Sequence, residues 1–245
     1  MCKIFSDEMV DKWLLMNSPY PLLNIFAMYL IIVKYAGPKF MQNRKPFNLN
    51  NFTRIYNLYQ VICCIYIVSL SPAFLGTLNP YKCYSGRVEN PFHLKVGWFT
   101  LILRTSEFFE TIVFVLRKKQ NQVSWLHIYH HIAVVSLYWA FFKYSAPGNE
   151  FIIIGINSAV HVAMYSYYFL SSFNGFKSIT NKVKSSITTM QIIQLVIIMT
   201  HIIHALARCN VTKLYWLQLG NIVILIAMFM QFYFSTYRKE KVRNV

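Results

Sequence analysis

Charged residues are scarce in this chain. They make up 13% of its 245 residues, whereas hydrophobic residues make up 56%. Soluble domains usually carry about 25% charged residues, so an ordinary water-soluble domain is excluded. Acidic residues are the scarcest, with 8 Asp and Glu against 24 Lys and Arg, and the formal net charge is +16. This excess of positive charge indicates an anionic partner, either lipid headgroups or an anionic substrate.

Long polar stretches are missing as well, and the sequence contains no soluble domain, internal repeat or low-complexity segment. Crossing the hydrocarbon of a bilayer takes roughly 20 apolar residues. The chain therefore reads as one all-α polytopic membrane domain over residues 1–245. We expect the first span to be the weakest, because Pro19 and Pro21 shorten it and Lys34 lies near its end. The seven predicted spans are 20–36, 55–76, 98–116, 124–142, 150–172, 187–206 and 214–235.

The loops between these spans differ in positive charge. Fourteen of the lysines and arginines lie in the first, third and fifth connections between spans and in the C-terminal tail, and eight lie on the other side. Because cytoplasmic loops carry the excess of positive charge, we expect a lumenal N-terminus and a cytosolic C-terminus. Lys241 and Arg243 in the tail fit either a degenerate dilysine retrieval signal of the endoplasmic reticulum or a solvated basic end.

Cysteine is rare, with 5 residues in the chain. Cys83 and Cys209 both fall in or beside loops on the non-cytosolic side, where an oxidising compartment allows pairing. They are therefore either a disulfide that ties two lumenal loops together or two free thiols. The sequon that begins at Asn210 lies on the same side, although its proximity to the membrane can block glycosylation.

The most informative motif is HIYHH in the fourth predicted span. His127, His130 and His131 stand at positions i, i+3 and i+4, which share one face of a helix. Ionisable groups inside a bilayer are costly, so their clustering predicts a functional site. Two chemistries stay open for this site. One is acyl transfer, and the other is a single zinc site formed by His127, His131 and a glutamate, because histidines four residues apart suit zinc.

Three charged residues lie in the preceding span, within RTSEFFET. Arg104 and Glu107 are three residues apart, so an internal ion pair can reduce the cost of burying them. Glu110 points elsewhere, toward a cavity or a histidine. At 1.5 Å per residue, Glu110 and His130 both lie about 10 Å inside the predicted cytosolic boundary.

Two further motifs place polar groups at a similar depth. NSAVHVAMYSYYF carries Asn157, His161, Tyr165 and Tyr168 at three- and four-residue spacing, and TTMQIIQ carries two glutamines. The tyrosines are either site residues or members of an aromatic belt. Gln191 and Gln194 are either ligand contacts or hydrogen-bonding links between helices.

Together these four motifs resemble the ELO family of very-long-chain fatty acid elongases. The family patterns are KxxExxDT, HxxHH, NxxxHxxMYxYY and TxxQxxQ, and the matching segments follow the same order over residues 104–194. Two positions depart from the family pattern: Arg104 stands in place of Lys, and Glu110 stands in place of Asp. Both substitutions keep the charge, but the longer carboxylate moves the acid by one methylene.

The resemblance implies an enzyme of the endoplasmic reticulum that condenses a long-chain acyl-CoA with malonyl-CoA. The products are 3-ketoacyl-CoA, CO₂ and free CoA, and no metal or redox cofactor is implied. It also implies six spans around a narrow acyl tunnel open to the cytosol, with the seventh outside. The expected partners are the two CoA esters and membrane lipid, with a homodimer and other enzymes of the elongation cycle as open alternatives, and no nucleic acid.

Our mechanistic hypothesis is a two-stage acyl transfer. Neutral imidazole is abundant at pH 7, since its reference pKa is about 6.5. We expect His130 to be the nucleophile, with His127 and His131 orienting it or moving protons and His161 as a second acid or base. Glu110 completes the catalytic set. The expected substrate-binding residues are Arg104, Glu107, Asn157, Tyr165, Tyr168, Gln191 and Gln194. A single-box metal enzyme and a seven-span receptor or transporter are the alternative classes.

Overall fold

The computed structural model describes residues 8–77, 83, 91–145 and 150–238, and every regular element among them is helical. The retrieval-signal prediction for Lys241 and Arg243 lies outside these residues. In chain order the helices are α1 (Glu8–Asp11), α2 (Tyr20–Ile31), α3 (Gly37–Met41), α4 (Asn50–Thr77), α5 (Pro91–Ser106), α6 (Phe108–Leu116), α7 (Trp125–Tyr144), α8 (Glu150–Ser171), α9 (Lys177–Arg208) and α10 (Leu214–Tyr233). A π-helical turn, Ile32–Ala36, joins α2 to α3, and another, Phe234–Arg238, continues α10.

Five of the described helices are long and apolar enough to cross a membrane. The protein is therefore a multi-pass membrane protein. The predicted spans 98–116 and 124–142 are not among the five. Their polar motifs lower the mean hydropathy, and a break at Glu107 divides the first of them into α5 and α6. The five helical stretches are Tyr20–Met41, Asn50–Leu70, Glu150–Ser171, Asn174–Arg208 and Leu214–Tyr237.

Helix α9 extends ten residues beyond the N-terminal end of the predicted sixth span, 187–206. Helix α9 begins at Lys177 rather than at 187. Its first turns contain lysine, serine and threonine, which a hydropathy criterion rejects but which a helix tolerates outside hydrocarbon. The apolar segment therefore marks only part of the helix.

The helices form two compact units. Within the described residues, the first unit contains α1 to α3 and α5 to α7, and the second contains α4 and α8 to α10.

In the first unit, the segment after α1 is fixed to α5 and α7 by side chains that reach its backbone. The indole Nε1 of Trp98 donates to the carbonyl of Leu14 at 3.0 Å. The indole Nε1 of Trp139 donates to the carbonyl of Leu15 at 2.7 Å. Lys143 forms an ion pair with Asp11. These bonds satisfy backbone groups that no helix satisfies.

Close packing of α5 on α7 depends on Gly97. A Cβ atom built at this position would lie 1.8 Å from Cζ of Phe142, which is itself buried. No side chain fits there unless the ring moves. Gly97 therefore sets the distance between the helix that leads to Glu107 and the helix that carries the histidines.

A disulfide and an arginine each join distant parts of the chain within the second unit. The sulfur atoms of Cys83 and Cys209 are bonded, which corresponds to the disulfide alternative of the sequence analysis. Just after the C-terminal end of α8, the Arg54 guanidinium donates to Ser172 Oγ and to the Ser172 carbonyl, and it lies 4.1 Å from the centroid of the Phe173 ring.

We expect Gly97→Ala to lower the stability of the detergent-solubilised protein by about 1–3 kcal/mol, because overpacking a close helix contact forces the phenyl ring to shift. The matched control is Gly220→Ala in α10, where an added Cβ meets nothing within 4 Å. It should leave the thermal midpoint unchanged or raise it, since alanine is a better helix former by about 1 kcal/mol. Equal midpoints for the two variants would contradict the packing role of Gly97.

Candidate active site

The histidine cluster lies in the first two turns of α7. Ser124 caps this helix, and its Oγ accepts a hydrogen bond from the backbone N–H of His127 at 3.2 Å. The cap starts the helix three residues before the first histidine, so the imidazoles share a face as predicted. The ring centroids of His127 and His131 are 4.3 Å apart, and those of His130 and His131 are 5.4 Å apart.

Glu107 holds His131 from the break between α5 and α6. Its Oε1 forms an ion pair with Nη1 of Arg104, and its Oε2 lies 3.5 Å from Nδ1 of His131. Arg104 and Glu107 are each 1% exposed, so both charges are removed from solvent. The ion pair predicted from their spacing is present. Because a buried charge is stable only with partners, this pair can keep the carboxylate in place beside the imidazole.

A hydroxyl relay supports the other end of the cluster. The hydroxyl of Tyr29 donates to Oγ1 of Thr111 at 2.9 Å, and that oxygen lies 2.9 Å from Nε2 of His127. A hydroxyl has one proton and two lone pairs, so Thr111 can take part in both bonds. Tyr29 is buried and stacks on Phe108 with centroids 4.5 Å apart.

Sequence reasoning missed both hydroxyls of this relay. Thr111 is the last residue of RTSEFFET, and its place one position after Glu110 was the available signal. Tyr29 lies 82 residues earlier in the chain, in the span predicted to be weakest, and nothing in the sequence connects it with the histidines.

Glu110 faces the same cluster. One ligand atom of Glu110, one of His127 and one of His131 all lie within 4.8 Å of one another. The expectation that Glu110 points toward a histidine is therefore met by the geometry. These three groups can also hold a metal ion, which is the zinc alternative of the sequence analysis.

The remaining predicted residues belong to the second unit. His161 and Tyr165 are buried on α8, with ring centroids 5.7 Å apart, and Tyr165 stands 5.9 Å from Tyr168. Tyr56 of α4 packs edge-on against Tyr165 at 6.3 Å and accepts a hydrogen bond from Gln60 Nε2. Tyr165 is thus packed against His161, and Tyr168 packs against Tyr165.

The amides of the second unit differ in their surroundings. Nε2 of Gln191 lies 3.2 Å from the sulfur of Met164, and Gln194 is buried. Among the residues that the structure describes, Oδ1 of Asn157 is buried without a hydrogen-bond partner, and so is Oε1 of Gln218 in the same unit. Buried oxygens in this state are uncommon in proteins.

The first residue of TTMQIIQ contacts the end of the chain. Oγ1 of Thr188 lies 3.2 Å from the hydroxyl of Tyr237, and that hydroxyl donates to the carbonyl of Lys184 at 3.3 Å. The motif is thus connected to the π-helical turn that follows α10.

Comparison with known proteins decides the family. The sequence profile of the ELO family, described as the GNS1/SUR4 family, matches residues 14–245. The chain belongs to the ELO family. The resemblance seen in the four motifs is confirmed, and it extends over nearly the whole chain.

Relatives of this ELO chain are named for fatty acid elongation. It is 34% identical to very long chain fatty acid elongase 4 of Homo sapiens, over 96% of the chain and 77% of that protein. Very long chain fatty acid elongase 4 of Mus musculus is also 34% identical, over 96% of the chain and 78% of that protein. Very long chain fatty acid elongase 1 of Homo sapiens is 33% identical, over 96% of the chain and 88% of that protein.

The relay of this ELO chain can be tested through the reactivity of His127 toward diethyl pyrocarbonate, which modifies unprotonated imidazole nitrogen. Thr111→Val removes the partner of Nε2 and should speed the modification about two- to tenfold, because a hydrogen bond is worth about 0.5–1.5 kcal/mol net. Tyr29→Phe keeps the stacked ring and should give a smaller increase. The rate is measured by mass spectrometry of the peptide that contains residue 127.

Tyr35→Phe is the matched control, since this tyrosine follows α2 and is 75% exposed. It should leave the rate at the wild-type value. A Thr111→Val variant that reacts no faster than Tyr35→Phe would show that the relay does not restrain His127.

Proposed function

We propose that this protein is the condensing enzyme of fatty acid elongation, a 3-oxoacyl-CoA synthase. It would join a long-chain acyl-CoA with malonyl-CoA to give 3-ketoacyl-CoA, CO₂ and CoA. The observation that carries the proposal is the group of three imidazoles on α7, held by Glu107 on one side and by Thr111 on the other. Membership of a family whose relatives are named elongases supports the same reaction class.

The first chemical stage is transfer of the acyl group to an imidazole. A lone pair of His130 attacks the thioester carbonyl, a carbon–nitrogen bond forms, the carbon–sulfur bond breaks, and CoA leaves as the thiolate. The imidazole proton that is lost can pass to the thiolate. His130 is partly exposed, whereas His131 is buried against Glu107, so His130 is the better placed of the two to meet a substrate.

The second stage forms the new carbon–carbon bond. Decarboxylation of malonyl-CoA gives CO₂ and an enolate, which attacks the acyl-imidazole carbonyl. The carbon–nitrogen bond breaks, and the leaving nitrogen of His130 takes up a proton from water, which His127 or His131 can pass to it. His127 and His131 are fixed by hydroxyl and carboxylate partners, which suits them to orient His130 and to move protons. In the second unit, Asn157 and Gln194 can donate hydrogen bonds to an oxyanion or enolate, and His161 keeps its predicted role as a second acid or base.

Membrane topology and location are part of the proposal. We expect seven spans, with six around a narrow tunnel open to the cytosol, in the membrane of the endoplasmic reticulum. Each buried methylene of an acyl chain would contribute about 0.8 kcal/mol in such a tunnel. The N-terminus would be lumenal and the C-terminus cytosolic, so that the basic loops attract the phosphates of CoA. No metal or redox cofactor is required by this chemistry.

A metal-dependent lipid enzyme is the second candidate, and one observation favours it. Glu110, His127 and His131 have the composition and proximity of a three-ligand metal site. This candidate predicts that the enzyme is inactive without metal, whereas the condensing enzyme needs none.

The reaction is tested by expression in a cell that lacks its own elongases, followed by fatty-acid profiling. Wild type should yield fatty acids two carbons longer than those of the host, and His130→Ala should reduce them at least 100-fold, since the nucleophile is lost. His204→Gln is the control, because this histidine lies outside the four motifs. If His130→Ala, present at the wild-type level, retains the products, His130 is not the nucleophile.

The acyl-imidazole is tested on the purified protein by intact mass. Incubation with acyl-CoA alone should add one acyl group to wild type and none to His130→Ala, because the first stage does not need malonyl-CoA. Peptide mapping should place the group on His130. An enzyme that turns over both substrates yet shows no adduct would require direct attack on acyl-CoA, with His130 as a base.

A further inference from the structure

The side chains around the histidine box bring together the ligands of a divalent transition metal. Histidines four residues apart on α7 supply two nitrogen ligands, and Glu110 of α6 supplies an oxygen. Their ligand atoms lie within 4.8 Å of one another. Ligand atoms around a tetrahedral zinc ion are about 3.4 Å apart, because zinc–nitrogen and zinc–oxygen distances are about 2.0–2.2 Å. The 4.8 Å figure is an upper limit, and rotation of the Glu110 side chain can shorten the distances from its carboxylate to the two imidazoles.

A second carboxylate stands behind one of the nitrogen ligands. Oε2 of Glu107 lies 3.5 Å from Nδ1 of His131, so Nε2 of the same ring is the nitrogen that remains for a metal. Metal-binding histidines commonly have a carboxylate on their other nitrogen, which fixes the ring and raises its basicity. Glu107 is in turn held by Arg104.

The chemistry of these side chains also suits a cation. Glu107 and Glu110 place two carboxylates beside the imidazoles, which are neutral when they act as ligands. Carboxylates and neutral imidazoles are groups that attract a divalent cation. Two nitrogen ligands and one oxygen ligand favour zinc over magnesium or calcium, which prefer oxygen ligands.

One of the three ligands departs from the ELO pattern given above. The ELO pattern KxxExxDT has an aspartate where this chain has Glu110. The additional methylene extends the carboxylate from α6 toward the histidines of α7. The length of this side chain decides whether its carboxylate can bind the same metal ion as His127 and His131 on α7.

We propose that Glu110, His127 and His131 form a zinc-binding site whose occupation reversibly inhibits the enzyme. Zinc takes the lone pairs of the two histidines that orient His130 and move protons. Acyl transfer then stops until the metal leaves. Zinc binding is independent of the proposed function, whereas the inhibition rests on it.

Binding is tested with the full-length protein in detergent, treated with a chelator and titrated with ZnCl₂ alone. Wild type should bind one zinc ion per chain, and zinc should raise its thermal midpoint, because a ligand that binds the folded state stabilises it. Glu110→Gln keeps the shape of the side chain and should weaken binding at least tenfold. Glu110→Asp should weaken it as well, and MgCl₂ should give neither binding nor a shift of the midpoint.

His130→Ala separates the metal site from the catalytic group. This histidine is outside the three-ligand set, so the variant should bind zinc as wild type does while losing elongation. Its midpoint should rise with zinc, and that of Glu110→Gln should not. This comparison also shows that each variant is folded. Equal zinc affinity of wild type and Glu110→Gln, or no zinc binding by wild type, would overturn the proposal.

Activity distinguishes inhibition from the metal-dependent alternative. The chelator-treated wild type should elongate acyl-CoA, and stoichiometric zinc should reduce the rate at least tenfold, with recovery when the chelator is added. A metal-free enzyme that is inactive and regains activity with zinc would overturn the inhibitory role. Zinc binding to a protein that makes no product with or without the metal would refute the proposed function and leave the binding site standing.

Discussion

The first unit of this protein depends on one carboxylate at a helix break. Glu107 lies where α5 ends and α6 begins, and it contacts Arg104 on its own segment and His131 on α7. Without the arginine, the carboxylate would be an uncompensated buried charge, which is strongly destabilising. Burying this pair costs desolvation free energy. In return, the carboxylate fixes the ring of His131 and so the face of α7 that carries the other histidines.

The local features of this site were predictable because they follow from the geometry of a single helix. Spacing of three and four residues fixes the faces of Arg104 and Glu107, and of His127 and His131, wherever the helices lie. The Tyr29 contact was not predictable, because it joins residues 82 positions apart. The helical pattern of the first span indicated an apolar segment but not which of its side chains would face Thr111. Hydropathy also could not set the start of α9, since its first turns are polar.

Motif matching and physical reasoning about the same residues differ in what they resolve. The motifs identify the family, but they do not show which hydrogen bonds and packing contacts fix each side chain. Asn157 illustrates the difference, because the structure leaves its buried oxygen without a hydrogen-bond partner, and a motif cannot show this. The tyrosines of α8 are a second case. Sequence reasoning left two interpretations for them, an aromatic belt and a site, and the structure adds that Tyr165 is buried between His161 and Tyr56.

Acyl chemistry and metal binding make the same demand on a histidine. Both need an unprotonated nitrogen whose lone pair is aimed into a shared space, away from bulk water, and both benefit from a carboxylate on the opposite nitrogen. A group of histidines arranged for acyl transfer can therefore also bind a metal ion. Whether it does depends on whether a third ligand lies close enough. In this chain the group that could act as a third ligand is Glu110, whose carboxylate lies within 4.8 Å of nitrogen atoms of His127 and His131.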